Sequence, residues 1–395
     1  MPLTSLKVLD FSTLLPGPFA SMTLADLGAD VLRVVAPRRT DMVRAMPPVD
    51  ARGRSPTDLH LNRSKRTIYL DLKQPAALRI VKRLVVEYDI VLEQFRPGVM
   101  ERLGLGYADL KVLHPGLIYC SLTGYGQSGP YRDRAGHDNN YMAISGLASY
   151  SGTRAGGPPL LGTPMADVAG GSLHAVIGIL AAVIERQRSG LGQAIDISMT
   201  DAMFTMNAVY GPGFLYGGVE PKSEQMLLNG GSFYGYYRTR DARYVAVGGL
   251  EPKFREQLCL GLGRPDLIDL AQSGAADDQR EFKRILGDLF LGKTRDQWVA
   301  AFAGLDACVE PVLSFSEAVR HPQVLARNLV VNVPDDEGAQ VPQLACPLKF
   351  SRSTPDYRHV GRGAATQTRA VLRDHGFADA DIAGFARDGA FGAHE

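Results

Sequence analysis

The sequence predicts an α/β fold, with a Rossmann-like large domain and a smaller α+β domain. In the first third of the chain, short apolar runs alternate with segments of helical spacing. That alternation is typical of βαβ units, which build a mostly parallel sheet covered by helices. After residue 231, two strand-like runs precede three helical segments, which indicates a second domain. The chain has 395 residues, enough for two or three domains.

Buried strands and helices alternate in the predicted large domain. The strands are predicted at residues 7–11, 30–35, 68–72, 89–95 and 117–122. Helices are predicted between and after them, at 19–27, 75–88, 97–103, 107–113, 168–187 and 198–210. The helix at 168–187 is apolar nearly all round, which is typical of a buried core helix. No GxGxxG motif follows the first strand, so a dinucleotide site is only weakly supported.

Changes in pattern along the chain set the predicted domain bounds. Residues 1–210 form the large domain, a Gly- and Pro-containing linker covers 211–231, and the small domain covers 232–320. Strands at 233–238 and 243–248 flank a four-residue turn, which is a hairpin signal. Helices are predicted at 252–262, 278–291 and 294–305. The remaining segment, 321–395, contains many loops and ends in helical pieces.

The composition excludes several classes of protein. Hydrophobic residues make up 45% and charged residues 22%, and the formal net charge is +1, so we expect an ordered chain without a general affinity for nucleic acid or membranes. The most apolar run, 173–184, is shorter than a bilayer requires. The N-terminus lacks a signal-peptide pattern. Four widely spaced cysteines without a CxxC pair predict reduced thiols, so we expect a cytoplasmic protein.

A basic segment between residues 37 and 66 is the first candidate binding feature. It carries eight basic and three acidic residues, an excess of five positive charges that includes Arg38 and Arg39. Guanidinium groups bind two phosphate oxygens at once, so a multiply phosphorylated small ligand fits this segment. Nucleic acid fits less well because no aromatic residues interleave with the basic ones. A solvated loop with scattered arginines remains the alternative.

Three further residues are candidates for chemistry, although each also fits a helix cap. His137 precedes a helical segment, where free backbone N–H groups can hold an anion or a developing oxyanion. Asp167 precedes a glycine pair and the apolar helix, which is also a typical N-cap position. Glu251 ends the second hairpin strand just before a proline. GxSxG, HExxH and P-loop motifs are absent, and the histidines show no metal-ligand spacing, so we expect no metal.

Blocks along nearly the whole chain resemble the class III CoA-transferase superfamily (CaiB/BaiF-like), and within it the α-methylacyl-CoA racemases. They include KVLDFSTLLPGPFASMTLADLGADVLRV, NRSKRTIYLDLK, EQFRPGVMERLGLGYADL, YCSLTGYGQSGPYRDRAGHDNNY and ADVAGGSLHAVIGILAAVIERQRSGLGQAIDISMTDA. The resemblance implies a homodimer of two interlocked rings, with active sites between the chains. It also implies that the C-terminal segment returns to the large domain, and that an acyl-CoA thioester is the substrate. Coenzyme A would be part of that substrate, with no further cofactor.

The resemblance also assigns roles to the candidate residues. Transferases of this superfamily use an aspartate nucleophile, and Asp167 occupies that position. Racemases add a histidine in a GHD-x-NY block and a glutamate in a VGxxEP block, which match His137 and Glu251. The racemase interpretation makes His137 and Asp167 the two bases, Glu251 the hydrogen-bond partner of His137, and the N–H of Asp138 an oxyanion donor. The alternatives are a CoA-transferase acting through Asp167 and a CoA-thioester-binding protein with a decayed site.

A set of predicted coenzyme A contacts also follows from the resemblance. The family often has Arg before the proline that ends the second strand, whereas this chain has Ala36, so Arg38 and Arg39 are expected to substitute. The other predicted contacts are Asp71, Lys73, Gln94, Arg96, Gly98, Arg102 and Tyr125. For Lys73 a surface role is the alternative.

Overall fold

A six-stranded parallel sheet organises the first of two units in the computed structural model, which describes residues 1–37, 41–362 and 367–392. Every neighbouring pair in it is parallel. Its strands are β1 Lys7–Asp10, β2 Asp30–Val35, β3 Lys65–Tyr69, β4 Ile90–Glu93, β5 Ile118–Thr123 and β6 Ala194–Ser198. The order is β3-β2-β1-β4-β5-β6, so it reverses between β1 and β4. The predicted α/β class with a parallel sheet is confirmed, and open sheets bind ligands at such a reversal.

The central strands are buried on both faces, which is why they can be read as apolar runs. Leu9 of β1, Leu32 of β2 and Val91 of β4 are completely buried in one cluster. The helix Pro75–Leu84 contributes Ile80 and Val81 to the same cluster. Parallel strands covered by helices on both faces are expected to read in this way. The sixth strand, β6, was not predicted; its alternation of exposed and half-buried residues is that of a sheet edge.

The helices of the chain are mostly short. The α-helices run over Pro16–Asp26, Pro56–Leu61, Pro75–Leu84, Val99–Arg102, Tyr107–Leu110, Asp138–Ile144, His174–Ser189, Met199–Thr205, Gly211–Gly217, Pro252–Gly261, Ile268–Gln272, Ala276–Phe290, Arg295–Phe302, Phe315–Ala318, Pro322–Ala326, Thr368–Asp374 and Asp379–Arg387. A π-helical segment, Ala166–Leu173, continues directly into the helix His174–Ser189. π-Helical turns are rare and often mark functional sites.

The continuous helix Ala166–Ser189 departs from the prediction of a fully buried core helix. Within the described residues it is the one helix that is long and apolar enough to cross a bilayer. Only 44% of its most apolar 18-residue stretch is buried. Leu173, Ile177 and Ile184 are 42%, 61% and 63% exposed. The opposite face, which includes Ile179 and Val183, is buried. The helix therefore presents an open apolar face. The prediction missed this face because sequence periodicity alone does not tell which apolar side chains the rest of the chain covers.

The C-terminal segment belongs to the first unit and packs against its earlier residues. Arg63 makes two hydrogen bonds to the buried carboxylate of Asp26, at 2.8 and 2.6 Å, and its Nη1 donates to the carbonyl of Leu344 at 2.6 Å. Leu344 ends a two-stranded antiparallel sheet formed by β10 Val330–Pro334 and β11 Gln340–Leu344. The N–H of Tyr69, on the edge strand β3, donates to Thr368 Oγ1 at 3.1 Å. These contacts shield one edge of the parallel sheet.

The second unit has its own sheet and core. β7 Gly235–Arg238, β8 Tyr244–Val247 and β9 Val309–Pro311 form an antiparallel sheet in that order. β7 and β8 form the predicted hairpin, whereas β9 was not predicted. Phe233, Phe282 and Phe290 are completely buried beside this sheet, and Trp298 donates a hydrogen bond to the Phe290 carbonyl at 2.9 Å. The unit is held by an aromatic core of its own.

The bounds of the two units differ in detail from the predicted domains. The first unit consists of Met1–Ser145, Leu161–Thr205 and Gln323–Glu395, and the second of Gly146–Leu160 and Met206–Pro322. Residues 146–160, placed in the large domain by the sequence, cluster with the second unit. The helix Gly211–Gly217 lies in the predicted linker. The predicted domain scheme itself stays a prediction.

Candidate active site

A cleft of about 310 Å³ lies beyond the carboxyl ends of β4 and β5. Its walls come from the segment after β4 and from the Gly-rich loop that follows β5. Leu14, from the segment between β1 and the first helix, and Met199 complete it, and all the lining residues belong to the first unit. The lining includes Gln94, Arg96, Tyr125, Arg132, Arg134 and His137. Four of the predicted site residues therefore line one cleft at the predicted edge of the sheet.

His137 lies at the wall of this cleft, immediately before the helix Asp138–Ile144. Its backbone is extended, and its N–H donates to Asn140 Oδ1 at 3.0 Å, which closes the first turn of the helix. The sequence predicts helical character over 139–150, whereas the helix begins at Asp138 and ends at Ile144, because Gly146 adopts a left-handed conformation with φ +85°. The His137 side chain is exposed and available to a ligand in the cleft.

Asp167 is connected to the residue that follows His137. Its N–H donates to Asp138 Oδ1 at 3.0 Å, across 29 residues of chain. The segment Ala166–Leu173 is helical from Ala166 onwards, so Asp167 is not the N-cap that base rates suggest. Burial and the negative charge of Asp138 together raise the pKa of Asp167 to about 6, and His137 opposes both effects. Asp167 and His137 are thus within electrostatic reach of each other.

Glu251 belongs to the second unit. It occupies the N-cap position of the helix Pro252–Gly261, with proline at the first helical position as predicted. The Glu251 side chain makes no capping hydrogen bond and is exposed. The predicted hydrogen bond between Glu251 and His137 stays a prediction.

The predicted coenzyme A contacts fall into two groups in the structure. Gln94, Arg96 and Tyr125 line the cleft, and the Gln94 side-chain oxygen accepts from the N–H of Gly17 at 3.0 Å. Asp71 and Lys73 follow β3, where the Lys73 N–H donates to Asp71 Oδ1 at 3.1 Å, and they do not line the cleft.

Gly98 brings two arginines together beside the cleft. A Cβ added there would lie 3.0 Å from Arg102 Nη1 and 3.8 Å from Arg132 Nη2. Gly98 has φ +81° and begins the helix that carries Arg102. Arg38 and Arg39 lie outside the described residues.

Arginines without acidic partners surround the cleft. Within the described ranges, Arg96, Arg102 and Arg134 form no ion pair, while Arg132 lies 3.7 Å from Asp133. Arg134 stacks on the Tyr131 ring, with its guanidinium carbon 3.8 Å from the ring centre. Such a group of unneutralised guanidinium groups suits a polyanionic ligand.

Sequence reasoning missed Arg132, Arg134 and Tyr141, all of which line the cleft. The available signal was the run YRDRAGHDNNY, which places two arginines three and five residues before His137 in a Gly-rich loop. No group of three or more His, Cys, Asp or Glu side chains that could hold a metal ion occurs in the part of the chain that the structure describes.

Comparisons with known proteins identify the family. Residues 3–361 match the profile described as CoA-transferase family III. The chain is 37% identical to the alpha-methylacyl-CoA racemase of Homo sapiens, over 97% of this chain and 95% of that protein. It is 32% identical to the succinyl-CoA:glutarate CoA-transferase of Homo sapiens, over 84% of this chain and 76% of that protein.

A solved structure shares the architecture. The crystal structure of a CAIB/BAIF family protein from Brucella suis is similar to this chain with a TM-score of 0.82 and 29% sequence identity. The match covers 95% of this chain and 99% of that chain. From the profile, the relatives and this structure together, the chain belongs to CoA-transferase family III.

Proposed function

We propose that the protein is a 2-methylacyl-CoA racemase, which interconverts the R and S configurations at C2 by removing a proton from one face and delivering a proton to the other. The observation that carries this proposal is a hydrogen bond that links the segments of two residues able to exchange protons. His137 lines the cleft, and its neighbour Asp138 accepts a hydrogen bond from the backbone of Asp167 at 3.0 Å. Inversion at a carbon next to a thioester requires a base on one face and an acid on the other. His137 and Asp167 are the two groups of this chain that fit those roles.

The proposed reaction balances without any further cofactor. For one enantiomer, His137 takes the C2 proton, and the electron pair of the broken C–H bond moves into an enolate on the thioester oxygen. Asp167 then gives its own proton to the opposite face of C2, which forms the new C–H bond. For the other enantiomer the two residues exchange roles. The N–H of Asp138 is the proposed donor to the enolate oxygen, and Glu251 the proposed partner that orients His137.

The environment of Asp167 suits proton transfer. When the pKa of a carboxyl group is about 6, both its protonated and its ionised form are present near neutral pH. General acid–base catalysis is most efficient when the pKa of the catalytic group lies near the working pH. The raised pKa of Asp167 therefore supports its proposed role in proton transfer.

The cleft arginines are the proposed binding groups for the phosphates of coenzyme A. We expect Arg96→Ala and Arg134→Ala to raise KM for a 2-methylacyl-CoA about tenfold or more, because hydrogen bonds to charged groups contribute about 1.5–3 kcal/mol. Since neither side chain reaches the reacting carbon in this account, kcat should change little. The measurement is steady-state kinetics with acyl-CoA and with the matching acyl-pantetheine thioester, which lacks the phosphates.

A matched control is Arg280→Ala, an exposed arginine of the second unit beside Asp277. Its KM should equal that of the unchanged protein. For acyl-pantetheine, the Arg96 and Arg134 variants should also equal the unchanged protein. Equal KM values of all variants for acyl-CoA would contradict the phosphate assignment.

We also propose a homodimer with interlocked chains, in which a second copy covers the open apolar face of the helix Ala166–Ser189. Ile177 and Ile184 are the most exposed large apolar residues of this helix. Exposed apolar patches of this kind mark interaction surfaces. We expect Ile177→Asp combined with Ile184→Asp to convert a dimer into a monomer in sedimentation analysis, because burying two unpaired carboxylates in an interface is costly.

The control for this experiment is Gln187→Asp, an exposed polar position of the same helix. That variant should remain dimeric. A monomeric unchanged protein, or one that partitions into lipid vesicles through this helix, would contradict the proposed dimer. We propose a cytoplasmic location as well; the exposed free thiol of Cys308 suits a reducing compartment.

The second candidate function is a CoA-transferase that uses Asp167 as nucleophile. The relatives named as succinyl-CoA:glutarate CoA-transferases, at 32–33% identity, favour it. The two functions differ in whether a carboxylic acid is required. Incubation of the purified protein with (2R)-2-methylacyl-CoA should give the 2S thioester without any added acid. If chirality is retained and a new acyl-CoA forms only when a carboxylate is added, the transferase is the correct function.

A further inference from the structure

Tyr141 holds the backbone immediately before His137. It lies in the first turns of the helix Asp138–Ile144 and is 6% exposed. Its hydroxyl donates to the carbonyl oxygen of Gly136 at 2.5 Å. That carbonyl belongs to the peptide group that joins Gly136 to His137. The hydrogen bond therefore fixes the plane of the peptide from which the His137 side chain departs.

Two glycines make room for the Tyr141 ring. A Cβ added at Gly124 would lie 2.3 Å from the ring, and one added at Gly136 would lie 2.7 Å from it. Any larger residue at either position would displace the ring. The ring also meets Tyr125 edge to face, with ring centres 5.2 Å apart. The ring is thus confined between the end of β5 and the His137 loop.

The hydroxyl of Tyr141 can act only as a donor toward the Gly136 carbonyl. Burial raises its pKa, and the charges of Asp167 and Asp138 raise it further, so the hydroxyl stays protonated. The Tyr141 hydroxyl therefore lies within electrostatic reach of Asp167, while its hydrogen bond holds the backbone before His137. The Tyr141 hydroxyl therefore positions the backbone and does not transfer a proton to substrate, since its proton is already donated to the Gly136 carbonyl.

We propose that Tyr141 is a positioning residue, whose hydroxyl sets the approach of His137 to the C2 proton. This inference rests on the proposed racemase function. It predicts a defect confined to the half of the reaction in which His137 removes the proton. The half in which Asp167 removes the proton should keep its rate, because the Tyr141 hydroxyl bonds to the peptide before His137 and not to Asp167.

The test is Tyr141→Phe, which removes one oxygen atom and keeps the ring. We expect the racemisation kcat to fall about tenfold or more, since small misplacements of a catalytic group can cost up to about 10²-fold. KM for the acyl-CoA should change less than about twofold, because the phosphate contacts are untouched. In deuterated buffer, exchange at C2 should slow for the enantiomer deprotonated by His137 and remain for the other.

The matched control is Tyr237→Phe. Tyr237 is buried in the second unit and also donates to a backbone carbonyl, that of Phe233, at 2.5 Å. Both variants should lose similar thermal stability, while only Tyr141→Phe should change the ratio of exchange between the enantiomers. Gly124→Ala, whose added Cβ would lie 2.3 Å from the Tyr141 ring, should reproduce that ratio.

The outcomes separate this inference from the function on which it rests. If the unchanged protein racemises but Tyr141→Phe keeps its exchange ratio, or slows exchange of both enantiomers equally, the positioning role is overturned while the racemase stands. If the unchanged protein neither racemises nor exchanges the C2 proton, the proposed function and this inference fall together.

Discussion

His137→Asn is expected to lose racemisation by about 10²–10⁴-fold, the usual contribution of a positioned acid–base group. One half of the reaction should survive. Asp167 can still remove the C2 proton of one enantiomer and return a solvent deuteron to the same face. The variant should therefore exchange the C2 proton of that enantiomer with retention of configuration. The measurement is mass spectrometry combined with chiral analysis of each pure enantiomer in deuterated buffer.

The matched control for this prediction is His114→Asn, a histidine of the first unit outside the cleft lining. That variant should racemise like the unchanged protein. Full racemase activity of His137→Asn would remove histidine from the mechanism. It would also be the result expected if the cleft histidine only caps the helix Asp138–Ile144.

Asp167→Asn should give the mirror image of the His137 result. Racemisation is expected to fall by about 10²–10⁴-fold. The enantiomer that keeps exchanging its C2 proton should be the one that the His137→Asn variant no longer exchanges. This reciprocity follows because each base serves one face of C2. Asp288→Asn, an exposed position of the second unit, is the control. A transferase would behave differently, since Asp167→Asn would abolish acyl transfer and His137→Asn would not.

The pH profile gives an independent view of Asp167. The pair works with one proton shared between the two bases, so kcat/KM should be bell-shaped and have the same shape in both directions. Its acid limb reports addition of a second proton to the pair. Because burial and the charge of Asp138 raise the pKa of Asp167 to about 6, that limb should lie near pH 6.

Asp138→Asn tests the cause of this shift. Asparagine keeps a side-chain oxygen that can accept from the Asp167 N–H, but it removes the charge that raises the Asp167 pKa. The pKa should therefore fall, and the acid limb should move to lower pH. An acid limb at the pH of an ordinary aspartate in the unchanged protein would contradict the account of Asp167.

The parallel sheet was predictable because its strands are buried on both faces. β1, β2 and β4 read as apolar runs, and the helices between them have amphipathic spacing, as in Pro75–Leu84. β6 escaped notice because an edge strand that is half exposed interrupts that pattern. The open face of the helix Ala166–Ser189 was not predicted for a different reason. The sequence pattern of an apolar residue is the same whether its own chain covers that residue or leaves it exposed.

Residue patterns alone made His137, Asp167 and Glu251 candidates, but only the resemblance assigned them roles. The hydrogen bond from Asp167 to Asp138 joins residues 29 apart in sequence, and only the folded chain brings them together. The π-helical geometry at Asp167 likewise depends on tertiary packing, because Gly170 and Gly171 lie close to Met199. Arg132 and Arg134 lie in a loop without periodicity, so nothing in their spacing distinguishes cleft arginines from surface arginines.

Deuterium uptake at C2 tests the central claim most directly. Purified protein is incubated with (2R)-2-methylacyl-CoA in deuterated buffer, with and without a free carboxylic acid, and the product is examined by mass spectrometry and chiral separation. The account predicts gain of one deuteron at C2 together with conversion of the pure 2R thioester into a mixture of 2R and 2S, at the same rate in both tubes. Retention of the original hydrogen, with a new acyl-CoA formed only in the tube that contains the acid, would contradict it and make Asp167 the nucleophile of a CoA-transferase.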